Sequence, residues 1–461
     1  MTADPPRFRV AIVGAGPAGF YAAQSLQRLR DFPVAFDLFE RLPTPFGLVR
    51  AGVAPDHAHI KAVARTFTRT MARAEQARFF GNVQVGRDLT VAELEARYDA
   101  VVWAIGAECG RRLGVPGCSL DGVELAARFV YWVNGHPDHA DLELHLDQVR
   151  RVMVIGNGNV ALDVARVLGR PAAAFAPTDA SDRALEALRG SAVTDIHLVG
   201  RRGPAEASFT EPELREIDQL EGVAFSVEAG PAGRDRARAV LDGGDSLAPD
   251  QRRMLERMSE ATGDRDAPRR IQARFLLSPV AFDGEGRVQR VQLERNRLEP
   301  QGDRVVAVPT GERWWEPVDL VLVAIGYHGP GVPGLPYDEG PGTLPNTGGR
   351  LTRSPGGDPV PRHYVTGWAR RGPSGVVGTN RPDAKQVVAA LWDDLHAGAP
   401  GSPAGDVADL LAERGVRWVG WPDWQRLDAV EVAAGATAGR PRVKRVDWAT
   451  LLAAAAGPQG D

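Results

Sequence analysis

Val10-Ala-Ile-Val-Gly14-Ala-Gly16-Pro-Ala-Gly19 is the stretch whose reading decides the fold. An apolar run of the length of a buried parallel strand enters G-x-G-x-x-G, and Phe20, Ala23, Leu26 and Gln27 follow at helical turn spacing. The pattern reads as a strand, a tight turn and a helix N-terminus. Gly14 permits the turn, Gly16 lets the backbone approach a pyrophosphate, and Gly19 lets helix and strand pack closely. The anion meets unpaired N–H groups at the positive end of the helix. A second apolar run, Val34-Ala-Phe-Asp-Leu-Phe39, ends in Glu40. That is about 20 residues past the last glycine, where an acid meets ribose hydroxyls. A carboxylate there repels a 2′-phosphate, so this first site is expected to take FAD or NAD.

The same grammar recurs in Arg151-Val-Met-Val-Ile155-Gly156-Asn-Gly158-Asn-Val-Ala161-Leu-Asp-Val-Ala-Arg166, with Ala161 in place of the third glycine, a variant the fingerprint tolerates. The next strand, Asp195-Ile-His-Leu-Val-Gly200, ends in Arg201-Arg202 instead of an acid. Planar guanidinium forks suit a phosphate dianion, so the second site is expected to take NADP(H). A Pro/Ala-rich insert over 170–190 accounts for the long spacing between Gly158 and the arginines. Two strands with small endings, Val101 to Gly106 and Val318 to Gly326, enclose this second unit. That is the sequence mark of one domain inserted into another. The expected α/β fold is two Rossmann-like dinucleotide-binding domains, with the NADP domain (109–326) inserted into a discontinuous FAD domain (1–108 and 327–461).

The remaining features bound the function. The net charge of −4 gives no signal for nucleic acid. No apolar run reaches the ~18 residues of a membrane span, and Met-Thr-Ala-Asp-Pro-Pro has neither a signal nor a transit character. The expected location is the cytoplasm, without membrane insertion. Two cysteines, Cys109 and Cys118, give no disulfide framework and no metal site. Lysine occurs only at positions 61, 385 and 444. The stretch 41–61 is too rich in proline and glycine for a regular element, and it carries Leu48 and His57. Residues 59–78 read as a helix on which Lys61, Arg65, Arg69 and Arg73 form a basic stripe, either a solvated face or a docking face for an acidic partner. Val83-Gln-Val85 reads as a strand, and 90–97 as a short helix. Residues 230–270 read as surface loops with one exposed helix. Phe275-Leu-Leu, Val288 to Leu293 and Val305 to Val308 read as a meander. A glycine-rich turn after His363-Tyr-Val leads into a helix with Ala384, Val387, Val388 and Leu391 inside. Its N–H groups would face a flavin's pyrimidine edge, with Trp368 as a flat wall. Trp418, Trp421, Trp424 and Trp448 are expected to pack the C-terminal segment onto the first domain.

These parts together resemble the adrenodoxin-reductase-like ferredoxin–NADP⁺ reductases, in particular the actinobacterial ones. The matching blocks are VAIVGAGPAG, LPTPFGLVRAGVAPDH, FFGNVQVG, VIGNGNVALDVAR, LVGRRGPAEASFTEPELRE, YVTGWARRGPSGVVGTN and the C-terminal GRPRVK. The resemblance implies FAD bound by Gly19, Glu40, Leu48, Val85, Trp368, Gly375, Val376 and Val377, beside Gly14 and Gly16. It implies NADP(H) bound by Arg111, Asn157, Gly158, Asn159, Val160, Arg201, Arg202, Glu213 and Gly375. It places His57 and Glu216 in the active-site region, tuning flavin chemistry or proton movement, with no metal. The implied reaction is hydride transfer from NADPH to FAD, then single-electron transfer to ferredoxin, an acidic iron–sulfur protein docking on a basic rim between the domains. Two other readings stay open: an NADPH-dependent reductase of quinones or other small acceptors, and a flavoprotein that senses NADPH without turnover.

Overall fold

The computed structural model describes residues 8–29, 34–243, 247–263, 266–302, 304–397 and 404–457. Its first apolar run is the strand Phe8–Val13, inside a seven-stranded sheet. The strand order is Asn346–Thr347, Arg350–Thr352, Pro359–Val365, Ala100–Trp103, Phe8–Val13, Val34–Glu40, Ala77–Gly81. The last five run parallel, and the first two add an antiparallel edge. Val10 and Ile12 pack on one face with Phe20, Leu26, Val387 and Leu391. Ala11 and Val13 pack on the other with Phe39, Phe80 and Trp103. Burial on both faces is why the run is apolar throughout instead of alternating. Helix Pro17–Leu26 lies against helix Asn380–Ala397.

A charge on the second strand lies within this core. Asp37 is 3% exposed, and burying an unpaired carboxylate is prohibitive. Its two oxygens accept both forks of Arg78 (2.8 and 2.6 Å) and the Tyr98 hydroxyl (2.6 Å). Burial and the adjacent carboxylate push the Tyr98 phenol well above its ordinary range.

The inserted unit has its own six-stranded, all-parallel sheet. Its order is Val123–Leu125, Leu320–Val323, Arg151–Ile155, Asp195–Gly200, Arg269–Phe275, Val223–Glu228. Val152 and Val154 face the helical side. Met153 and Ile155 face an antiparallel meander of Leu277–Asp283, Arg290–Gln301 and Arg304–Pro317. The fold is thus two Rossmann-like α/β units, one inserted into the other. The first comprises Met1–Cys109, Asn134–Asp138 and Tyr327–Asp461, and the second Gly110–Val133 and His139–Gly326. The five residues Asn134–Asp138 group with the first unit because their bonds lie there. Asn134 takes Lys61 and Lys444, and Asp138 takes Arg41 and Trp448.

Several local expectations need correction. The helix over 59–78 is two helices, Ala58–Lys61 and Ala64–Arg73. Tight i to i−3 bonds from Val63 to Ile60 and from Arg65 to Ala62 join them. The strand expected at Val83-Gln-Val85 is Ala77–Gly81. Asn82 turns into the left-handed region (φ 59°) and ends it, leaving Val85 in a buried loop. Residues 230–270 hold two helices, Gly230–Asp242 and Pro249–Glu260, and the second buries Met254, Leu255 and Met258. Phe275 closes a parallel strand, and the meander starts at Leu277 after Leu276 turns (φ 59°). The C-terminal tryptophans do pack on the first unit. Trp418 lies 4.8 Å from Phe80, Trp421 5.9 Å from Phe79 and Trp424 5.8 Å from Phe46, ring to ring. Trp448 Nε1 donates to Asp138 (2.7 Å).

Candidate functional site

In the first unit, the Gly14 N–H donates to Phe39 O (2.8 Å) and the Ala104 N–H to Val13 O (2.8 Å). These two bonds press the turn against the neighbouring strands. A Cβ at Gly14 would lie 2.4 Å from Ala104 O, and one at Gly19 would lie 2.0 Å from Gly14 O. No side chain fits at either position. Gly16 is the N-cap of helix Pro17–Leu26, with extended backbone and proline at the first helical position. A Cβ there would meet only Gly47 Cα, at 3.9 Å, so the backbone at Gly16 is open to close approach on that side. This cradle fits a pyrophosphate.

The Pro/Gly loop after Glu40 folds back onto that turn. The Phe46 N–H donates to Ala15 O (2.8 Å), with Phe46 itself at φ 85° and its ring 5.4 Å from that of Phe20. Against the expectation from its prolines and glycines, the stretch holds regular structure: Leu48 opens the short helix Leu48–Ala51, and Ala58–Lys61 forms another. His57, 5% exposed, caps Ala58–Lys61, its ring centroid 5.9 Å from that of His59. Glu40 accepts the Ala15 N–H on one oxygen and the Leu42 N–H on the other, both at 3.0 Å. Burial raises its carboxyl above the usual range, against the pull of these two bonds and Arg41. Each oxygen keeps a lone pair for a hydroxyl donor.

Trp368 follows Gly367, and its Nε1 donates to Ser374 O (3.0 Å). Gly375 takes φ 78°, Val376 is 60% exposed, and Val377 starts a single 3-10 turn before helix Asn380–Ala397. Asp383, on that helix, accepts the Thr366 hydroxyl (2.8 Å), the Gly367 N–H (2.6 Å) and Arg370 (2.8 Å). It therefore anchors the turn that presents Trp368. Sequence reasoning missed this residue. The signal was an aspartate directly beside the buried Ala384 in the first turn of an inward-facing helix.

The second unit repeats the cradle. Gly156 N–H donates to Val199 O (2.9 Å), Ala324 N–H to Ile155 O (2.8 Å), and a Cβ at Gly156 would lie 2.3 Å from Ala324 O. Gly158 caps helix Asn159–Gly169 and has open space where a Cβ would point. Asn157 O accepts the Ser208 N–H (2.9 Å). Asn159 Oδ1 accepts the Thr210 N–H (2.8 Å), tying the glycine turn to helix Glu211–Asp218, which carries Glu213 and Glu216. Val160 is partly buried beside the core. Arg201 is exposed and Arg202 half-buried. Their carbonyls are held by Asn296 Nδ2 (3.0 Å) and the Leu276 N–H (3.1 Å). Neither guanidinium is ion-paired among the described residues. Free forks on fixed backbone fit a phosphate dianion. The Arg111 N–H donates to Gly326 O (2.9 Å). Glu216 pairs with Arg166 Nε at 3.5 Å, and Arg166, 2% exposed, also pairs with Asp163. This buried arginine closes the VALDVAR block, and sequence reasoning assigned it no role.

The geometry is that of two separate dinucleotide cradles, and the comparisons with known proteins agree. The sequence pattern of the pyridine nucleotide-disulphide oxidoreductases matches residues 8–332. The chain is 43% identical to the NADPH-ferredoxin reductase FprA of Mycobacterium tuberculosis, over 96% of this chain and 98% of that protein. It is 39% identical to the mitochondrial NADPH:adrenodoxin oxidoreductase of Arabidopsis thaliana, over 97% and 95%. The solved structure of Mycobacterium tuberculosis FprA in complex with NADPH matches with a TM-score of 0.91 at 42% identity, over 98% of this chain and all of that one. The chain belongs to the adrenodoxin-reductase-like branch of the pyridine nucleotide-disulphide oxidoreductases. Cys109 and Cys118 are both free cysteines, half-buried. Burial and the neighbouring Glu108 raise the Cys109 thiol above its ordinary range. No helix among the described residues is long and apolar enough to cross a membrane.

Proposed function

We propose that the chain is an FAD-dependent ferredoxin–NADP⁺ reductase, with FAD on the first unit, NADP(H) on the second, and an acidic iron–sulfur ferredoxin as electron acceptor. Bound FAD would supply the chemistry that takes the electron pair of one hydride from NADPH and releases it as single electrons. The protein's residues bind, orient and tune. Gly14, Gly16 and Gly19 shape the pyrophosphate cradle of FAD, and Glu40 takes its ribose. Leu48 and Val85 supply apolar contact, and Trp368 a wall. The N–H groups around Gly375, Val376 and Val377 favour negative charge at the flavin's pyrimidine edge. Asn157, Gly158, Asn159 and Val160 receive the pyrophosphate of NADP(H), Arg201 and Arg202 its 2′-phosphate, with Arg111 and Glu213 lining the nucleotide. His57 and Glu216 tune flavin chemistry or proton movement. The observation that carries this reading is the contrast at the strand ends, Glu40 with a hydroxyl-ready carboxylate against Arg201 and Arg202, whose guanidiniums have no ion pair among the described residues.

Anaerobic stopped-flow measurement tests it. NADPH should bleach the bound flavin within the turnover time, and ferredoxin should restore the colour. Turnover with ferredoxin should fall steeply with salt, because exposed charges steer that encounter, while turnover with a neutral quinone should not. Flavin reduction too slow for turnover would favour a sensor. Faster turnover with the quinone, flat in salt for ferredoxin, would favour a small-acceptor reductase.

A further inference from the structure

Lysine is rare enough in this chain to be informative. Of 55 lysines and arginines, three are lysine, so nearly every generic surface cation in the chain is arginine. Two of the three lysines meet at one residue. Lys61 Nζ donates to Asn134 Oδ1 (2.7 Å), and Lys444 Nζ donates to Asn134 O and Arg50 O (both 3.0 Å). Asn134 is 1% exposed and Lys444 6%. A guanidinium is a flat fork matched to carboxylates. An ammonium is a compact point with three donors, and it fits where two carbonyl oxygens converge in little space.

Beside Lys444 stands Glu431, fully buried on helix Trp421–Thr437. It accepts both forks of Arg50 (2.9 and 2.6 Å), the Arg445 N–H (2.9 Å) and Arg442 (3.4 Å). Burial pushes its carboxyl up, but Arg50, the Arg445 N–H and Arg442 together hold it below the usual range. A buried ion with this many donors stays ionised and is costly to break.

These contacts grip one segment at both ends. Arg50 lies in Leu48–Ala51 and Lys61 ends Ala58–Lys61. Helices of four residues have no stability of their own, so the 48–61 segment takes its shape from what holds it. Much of that hold comes from the chain's far end, where Lys444 closes the GRPRVK block that no nucleotide motif explains.

We propose that Glu431 and Lys444 are positioning residues which, through Arg50 and Asn134, fix the 48–61 segment and with it Leu48 and His57 in the geometry the flavin site requires. The proposal rests on the assignment of Leu48 and His57 to that site. The full chain is tested as Lys444→Met, Lys444→Arg and Glu431→Gln, with Lys385→Arg, an exposed lysine elsewhere, as control. The first readout is amide exchange across 48–61 in flavin-free protein. The second is FAD affinity, with kcat and KM for NADPH. Exchange in 48–61 should quicken about tenfold or more, as expected for loss of local stability. FAD should bind about tenfold more weakly, a change of ~1.4 kcal/mol. kcat should fall with KM for NADPH unchanged, and Lys444→Arg should behave like Lys444→Met. Unchanged exchange in both Lys444 variants overturns the clamp, and those two decide alone if Glu431→Gln does not fold. Faster exchange with unaltered FAD affinity and kcat overturns the positioning role. A wild-type protein that binds no FAD would defeat the functional reading instead, and the exchange measurement would still stand.

Discussion

The turn at Gly14 and the turn at Gly156 are nearly the same object. Their N–H groups reach the neighbouring strand at 2.8 and 2.9 Å, the return strands close at 2.8 Å in both, and a Cβ would strike the facing carbonyl at 2.4 and 2.3 Å. What differs lies just beyond the next strand. Counting from the bonded pairs Gly14–Phe39 and Gly156–Val199, Glu40 corresponds to Gly200 and Arg41 to Arg201. In the first unit the acid's carboxylate binds the Ala15 N–H of the turn. In the second the Asn157 side chain fills that space, and a Cβ on Gly200 would lie 3.1 Å from its Nδ2. Both units thus place an arginine at the next position. Arg41 is neutralised by Glu108 (3.2 Å) and Asp138 (2.5 Å), whereas Arg201 has no ion pair among the described residues. The backbone makes the cradle in both units. On the proposed reading, coenzyme choice is set by which charges at its rim are already satisfied.

This comparison breaks most visibly at the glycines. Gly14→Ala should abolish flavin retention, because the methyl would overlap a backbone carbonyl. Gly156→Ala should leave flavin content intact and remove NADPH binding. Flavin content by absorbance and NADPH binding by calorimetry check both, and a colourless Gly156→Ala would deny that the two cradles are independent. The third fingerprint position sharpens the contrast. Gly19→Ala drives a Cβ to 2.0 Å from Gly14 O and should lose flavin as well. The second unit already carries Ala161 there, so Ala161→Gly should cost only about 0.5–1 kcal/mol of stability through backbone entropy, read from urea unfolding.

Glu40 gives a smaller, pH-dependent effect. Its raised carboxyl pKa means the folded chain holds that proton to higher pH than the unfolded chain does. Stability of the flavin-free protein should therefore fall as pH rises from the ordinary glutamate range through the raised value. Glu40→Gln should flatten that slope, and an unchanged slope would place the titration elsewhere.

Both strand–glycine–helix units were legible in the sequence because fully buried parallel strands leave unbroken apolar runs, and glycine turns have fixed spacing. The inserted arrangement was legible from the matched endings at Gly106 and Gly326. Local irregularities were not. Asn82 ends a strand early by a left-handed turn, and Ala62-Val63 breaks a helix that its charge period runs straight through. Met254, Leu255 and Met258 were hidden in a charge-dense window. The ion pairs that set the site were the least legible. Arg50 and Glu431 are 381 residues apart, and no spacing rule connects them. Arg166 and Asp383 read as ordinary helix polarity until their partners are seen.

The most direct test of the account is the affinity of the second cradle for its two coenzymes after Arg201→Gln and Arg202→Gln are combined. NADPH binding should weaken by about 1.5–3 kcal/mol for each charged hydrogen bond lost. NADH binding and flavin content should stay as in the wild type. Equal losses for NADPH and NADH would contradict the claim that unsatisfied guanidiniums choose the coenzyme.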